Sequence, residues 1–263
     1  MHRSWSTPAA LRRFWGLGIS IVLIGAVVPY PVRGVLGGDE AMHRIHDTVG
    51  SIHYLLWWAV PVLVWTLRRA DPPAGVLGHW WMAIASAFAM VLTSLPSGDL
   101  FSSASWLPLV TLLPLVPSTG WWRPCRPDPL LAGAAVLLGV LAWRLAPDLV
   151  HVQDVAGSDP HGARFHYGGM AAVYVASACC AAVAAVFPRD RAVLLLLGAG
   201  TTFIGAASWW WPQYDSALRG PERWWYVGVG AVIVVRSCTV RPAVSEGATT
   251  LAAGDIGEVS WRR

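Results

Sequence analysis

The chain has no lysine: all 19 of its basic residues are arginine. Chemistry that runs through a lysine amine is therefore excluded. That removes a retinal Schiff base, a pyridoxal phosphate aldimine and the lysine of a phosphate-binding P-loop. Charge of either sign is also scarce, at 13% of 263 residues, against about 25% in an average soluble domain. A deficit of that size does not suit an ordinary water-soluble core. The four cysteines, Cys125, Cys179, Cys180 and Cys238, include no CxxC pair. The middle two are adjacent in an apolar stretch, where neighbouring side chains diverge, so neither a disulfide framework nor a zinc site of the usual spacing is supported. The net charge of +4 resides in short arginine pairs between apolar runs rather than in a basic patch, which points away from nucleic acid. No small-residue cleavage site follows the first apolar run, so a cleaved signal peptide is not expected.

What is abundant is apolar sequence: 55% of the residues are hydrophobic. Separate runs reach roughly 17–22 residues, enough to cross about 30 Å of hydrocarbon as helix. Read as spans, they cover Phe14–Pro31, Gly50–Leu67, His79–Leu95, Ser103–Pro117, Leu130–Leu145, His166–Phe187, Ala192–Trp211 and Trp224–Val240. Arginine alternates from loop to loop. Arg3, Arg12 and Arg13 precede the first span, Arg68 and Arg69 follow the second, and Arg123 and Arg126 follow the fourth. Arg189 and Arg191 follow the sixth, and Arg236, Arg241, Arg262 and Arg263 close the chain, placing 13 of 19 arginines on one side. By the positive-inside rule that side is cytoplasmic. The expected fold is an all-α integral membrane protein of about eight transmembrane helices, with both termini in the cytoplasm of a bacterial cell and the helices in its plasma membrane.

Three further features organise the chain. Tryptophan pairs such as Trp80-Trp81, Trp121-Trp122 and Trp224-Trp225 read mainly as interfacial anchors, since indole favours the headgroup layer. At an offset of 120 residues Arg44-Ile45-His46 aligns with Arg164-Phe165-His166, Tyr54 with Tyr174, and Arg69 with Arg189. This suggests two tandem four-helix halves, 14–119 and 130–240, within a transmembrane domain 14–241. Residues 1–13 form a cytoplasmic N-terminal segment, and the polar tail 242–263 is expected to be disordered on the same side.

The threading collects ionisable side chains on the outer face: His43, His46, Asp47, His53, Asp99, Asp148, His151, Asp154, Asp159, His161, His166, Asp215 and Glu222. The inner side keeps mainly arginine, with His79. In the second span His43, His46, Asp47, Gly50, His53, Tyr54 and Trp57 recur at spacings of three and four, the pattern of one helical face. A polar stripe that enters hydrocarbon requires a cavity or partner groups, which makes such residues site candidates. The sixth span carries Gly168, Ala172, Ala176, Cys180 and Ala184 at every fourth position, a pattern that lets helices approach closely in lipid. It is expected to be central, packed on the second or third span, with His166 near His46. Pro108, Pro114 and Pro117 interrupt the fourth span, and Gly228 and Gly230 loosen the eighth, as helices lining a binding site often are.

The last outer loop adds Trp209, Trp210, Trp211, Tyr214 and Asp215, with Glu222, Trp224, Trp225 and Tyr226 at its end. Aromatic faces stabilise cations by about 0.5–2 kcal/mol, and a buried carboxyl beside them suits general acid catalysis. The combination fits carbocation chemistry on isoprenoids or recognition of a quaternary amine.

Glu40-Ala-Met-His43-Arg44 resembles the Glu-x-x-His-Arg signature of haem A synthase, a family of eight helices in two four-helix halves. That resemblance implies haem and outward histidine ligands, with His43, His46, His53 and His166 as the available imidazoles. The fourth and eighth spans contain none of the histidines that the family places there. The chain is also similar in general pattern to uncharacterised actinobacterial polytopic membrane proteins. In size and aromatic content it is similar to integral membrane terpene cyclases, by analogy alone. The leading expectation is a cofactor-free membrane enzyme acting by acid–base chemistry on an isoprenoid or other lipid-like substrate. Asp47, His46, His53 and His166 are its catalytic candidates, and Tyr54, Trp57, Tyr174, Trp209, Trp210, Asp215, Trp224 and Trp225 line its cavity. The alternatives are a haem- or quinone-binding redox protein and a transporter or export factor. The expected partners are membrane lipids and an apolar small molecule, with no nucleic acid and no metal site.

Overall fold

The computed structural model describes residues 9–29, 32, 44–67, 74–95, 126–155, 166–187, 190–213 and 216–240, and its regular secondary structure within them is all helix. The helices are α1 (Ala9–Val27), α2 (His46–Leu67), α3 (Ala74–Ser94), α4 (Pro129–Val155), α5 (His166–Val186), α6 (Arg191–Trp210) and α7 (Glu222–Thr239). Four of them, α2, α4, α5 and α6, are long and apolar enough to cross a membrane. The expected span Ser103–Pro117, the N-terminal eight residues and the tail 242–263 lie outside the described residues.

Helix α5 is the hub. It packs along α4 on one side and α3 on another, and its beginning meets the beginning of α2. Small side chains make this possible. Ala172 and Ala176 are fully buried and Cys180 and Ala184 nearly so, and each small residue lets a neighbouring backbone come close where the hydrophobic effect supplies no force. Helices α6 and α7 form the second tight pair. A Cβ added to Gly198 would lie 2.8 Å from the Gly230 carbonyl and 2.9 Å from the Val234 amide, so the two backbones touch at that crossing.

Polar contacts fix the ends. At one end Asp128 accepts the Leu130 and Leu131 amides through Oδ1, capping α4, while its Oδ2 takes Arg236 at 2.8 and 2.9 Å. Asp190 caps α6 through the Ala192 amide, and Arg191 Nε donates to the Val240 carbonyl. At the opposite end Gln153 Oε1 accepts the Gly168 amide, one of the unpaired donors in the first turn of α5.

Three features depart from the sequence reading. Helix α4 runs through Pro147 to Val155, about ten residues beyond the expected end, so Asp148, His151 and Asp154 stand on a helix rather than in a loop. Trp80 and Trp81 are buried, with Trp81 stacked on Phe187 at 4.3 Å, and serve as helix-packing residues instead of interfacial anchors. Helix α2 begins ahead of Gly50 and is not a regular α-helix: His46–Gly50 and His53–Ala59 are π-helical, and the Val60 amide donates to Leu55 five residues back. Such widened turns are rare and concentrate at functional sites.

Candidate functional site

The π-turns decide where the polar residues of α2 point. Wider turns advance each residue by a smaller angle, so spacings of three and four no longer hold the set on one face. His46 meets the start of α5 and the segment after α6. His53 is hydrogen-bonded to the backbone of Ser86 on α3, with its ring stacked on Tyr54 and tilted against Trp57. Tyr54 directs its hydroxyl at the Met90 sulfur, also on α3, and the Trp57 indole donates to the Leu196 carbonyl on α6 at 3.1 Å. The single stripe read from the sequence therefore divides among three neighbouring helices.

One convergence results. His46 is 8% exposed, and its ring lies 5.4 Å from that of His166 and 5.5 Å from that of Tyr167, both edge-on. His46 Nε2 is hydrogen-bonded to Ser216 Oγ, a contact across 170 residues of chain. Ser216, Ala217 and Leu218 fold inward between α6 and α7 and are themselves buried. Two bonds hold them there: Tyr174 donates to the Ser216 carbonyl at 2.7 Å, and the Leu218 amide donates to Ser208 Oγ at 3.0 Å. Tyr174 stands edge-on to Tyr226, whose hydroxyl is 3.4 Å from Ser177 Oγ. The result is a group of imidazoles and hydroxyls where α2, α5 and the α6–α7 segment meet, joined partly by hydrogen bonds and partly by ring contacts. A hydroxyl donates and accepts at once, and a neutral imidazole holds one donor and one acceptor nitrogen, so His46 and Ser216 can pass a proton between them.

Of the candidates read from the sequence, the structure brings together His46, His166 and Tyr174. His53, Tyr54 and Trp57 lie deeper along α2 against other partners. Asp47 is half-buried beside His46 in sequence, and its carbonyl accepts from Ser51 Oγ. Trp209 packs edge-on against Trp224 at 4.1 Å with Arg223 over its ring. Trp210, Trp224 and Trp225 are 81%, 61% and 52% exposed, on the outside of the bundle. His43 and Asp215 lie outside the described residues.

Ser216 and Tyr167 were not singled out from the sequence, and Tyr226 was read only as part of the outer aromatic set. Tyr167 had a usable signal, since it follows His166 directly. Ser216 sits in a short irregular segment where no periodicity exists to mark it. Among the described residues no group of three histidines, cysteines or carboxylates lies close enough to hold a metal ion. Compared with protein-family models, with curated proteins and with solved structures, the chain matches none of them.

Proposed function

We propose that the chain is a multi-pass bacterial plasma-membrane enzyme of about eight spans, its histidine end facing outward, that performs acid–base chemistry on a lipid-like substrate. The observation that carries this reading is the edge-on contact of the buried His46 with the half-buried His166, at the meeting of three segments distant in sequence. Two neighbouring imidazoles with a hydroxyl between chain segments supply both a proton donor and a proton acceptor, the pair that general acid–base catalysis needs. Ser216 orients His46, and Tyr174 holds Ser216 through its carbonyl. The apolar helices around the site favour a substrate that arrives through the bilayer.

The test is a comparison of lipids. Purified protein is reconstituted with a bacterial lipid extract, and the extract is profiled by mass spectrometry before and after incubation. The wild-type chain should consume at least one lipid species, and His46→Gln and His166→Gln should leave it untouched. Identical profiles for all three proteins would sink the reading.

A second reading, a haem- or quinone-binding redox protein, draws on His53. Its ring is 1% exposed, donates to the Ser86 backbone, and keeps Nε2 buried without a hydrogen-bond partner. A donor bond of that kind orients imidazole ligands in many haem and metal sites. An absorption spectrum before and after dithionite decides it, because a Soret band that shifts on reduction would displace the cofactor-free reading.

A further inference from the structure

A second region, separate from the histidines, has the form of a binding groove. It lies between α3, α4 and α5, encloses about 680 Å³, and has almost wholly apolar walls. That volume falls within the range of about 300–1,000 Å³ usual for small-molecule sites. Along α4 it runs from Gly139 past Trp143, Pro147 and His151 to Asp154, about 22 Å of helix at 1.5 Å per residue. Its ionisable groups gather at one end, where His151 is followed by the exposed carboxylate of Asp154 about one turn on. The carboxylate only accepts hydrogen bonds, and His151 can take either role. An anionic head would meet a carboxylate at the mouth and find no fixed cation among these groups. A cationic head bearing N–H donors matches them.

We infer that this groove binds an amphiphile with one hydrocarbon chain and a primary-amine head, the ammonium at Asp154 and the chain directed toward Gly139. In a bilayer the chain gains little by leaving lipid for an apolar wall. Selectivity therefore resides in the head, and the length of the groove sets the length of the chain.

Cys179 lines the groove and reports its occupancy, while the exposed Cys238 on α7 serves as internal reference. The full-length protein in phosphatidylcholine nanodiscs is alkylated with N-ethylmaleimide, and both cysteines are followed by peptide mass spectrometry. Hexadecylamine should slow alkylation at Cys179 and leave Cys238 unaffected. Hexadecanoate should be roughly tenfold less effective, the worth of one charge-assisted hydrogen bond. Asp154→Asn, an exposed change that leaves the helix packing alone, should abolish the preference for the amine. Gly139→Leu places its side chain in open space and shortens the groove, so it should block hexadecylamine and spare decylamine. Equal protection by both head groups, no protection by the amine, an amine preference that survives Asp154→Asn, or a Cys179 that resists alkylation with no amphiphile present would each overturn the inference.

Discussion

The two ends of the helix bundle bury polar groups by different rules. At the Asp128 end, both oxygens of that carboxylate are engaged: one caps α4 twice, and the other takes two nitrogens of Arg236. The charges are opposite, the geometry is fixed, and the contact ties the start of α4 to the end of α7. At the His46 end, the groups in contact are the buried His46, the half-buried His166 and several hydroxyls, and none of these carries a fixed full charge. A buried ion pair holds a structure together because separating it leaves a charge stranded. Imidazole gains or loses a proton near neutral pH, which a fixed ion pair does not, so this end suits chemistry better than bracing. The two ends thus separate a clamp from a candidate site, and substitutions at each should fail in different ways.

The largest expected effect is at the histidine end and concerns activity. His46→Gln and His166→Gln should each lower turnover by about 10²–10⁴-fold, the usual worth of a general acid or base. Their unfolding midpoints in detergent should stay close to wild type. A variant that loses its fold together with its activity would make this end a second clamp. Next comes the Asp128 end. Asp128→Ala removes a cap and leaves Arg236 without its partner, at a cost of about 3 kcal/mol in thermal or denaturant unfolding. Asp128→Asn keeps the cap and should cost less. Both should retain full specific activity in whatever fraction remains folded, as a lipid-turnover assay corrected for folded protein would show.

How far the sequence discloses this molecule follows from periodicity. Helices α3, α5, α6 and α7 fall within a few residues of their expected positions, because apolar runs bounded by Arg189, Asp190, Pro212 and Pro221 announce themselves. The every-fourth-residue row from Gly168 to Ala184 correctly marked α5 as a central, closely packed helix. The expected fifth span ended at Leu145, whereas α4 continues through Pro147, whose missing N–H costs the helix the bond to the Trp143 carbonyl. The π-turns of α2 had no signature at all. They are set by what α2 packs against, and spacing within one segment carries no record of its neighbours. The pairing of His46 with His166 was suggested by the 120-residue offset, whereas Ser216, which completes the contact, lies where no pattern reaches.

Those neighbours supply the next prediction. Trp57 lies flat against Gly200, where an added Cβ would stand 2.7 Å from the indole nitrogen and 2.9 Å from two ring carbons. Gly200→Ala should therefore push Trp57 off its bond to the Leu196 carbonyl and cost about 1–3 kcal/mol, as overpacking does. The strain falls within α2 and between the two ends. If it also lowers turnover, the π-turns transmit the position of Trp57 to His46, and the site extends along α2. If stability alone changes, the site is confined to the His46 end.

The smallest effect belongs to the tryptophans on the outside. Trp210, Trp224 and Trp225 expose most of their surface, so exchanging any of them for leucine removes little that the bundle uses. Each change should shift stability by no more than about 0.5 kcal/mol, the usual scale for surface positions. Their place in the comparison rests on a different measurement. An indole in the headgroup layer is quenched by lipids brominated near the glycerol and much less by lipids brominated at the chain terminus. The wild-type minus Trp225→Leu difference in quenching should therefore favour the shallow bromine. A preference for the deep bromine would place the start of α7 near the bilayer centre, and with it the histidine cluster that the same segment covers.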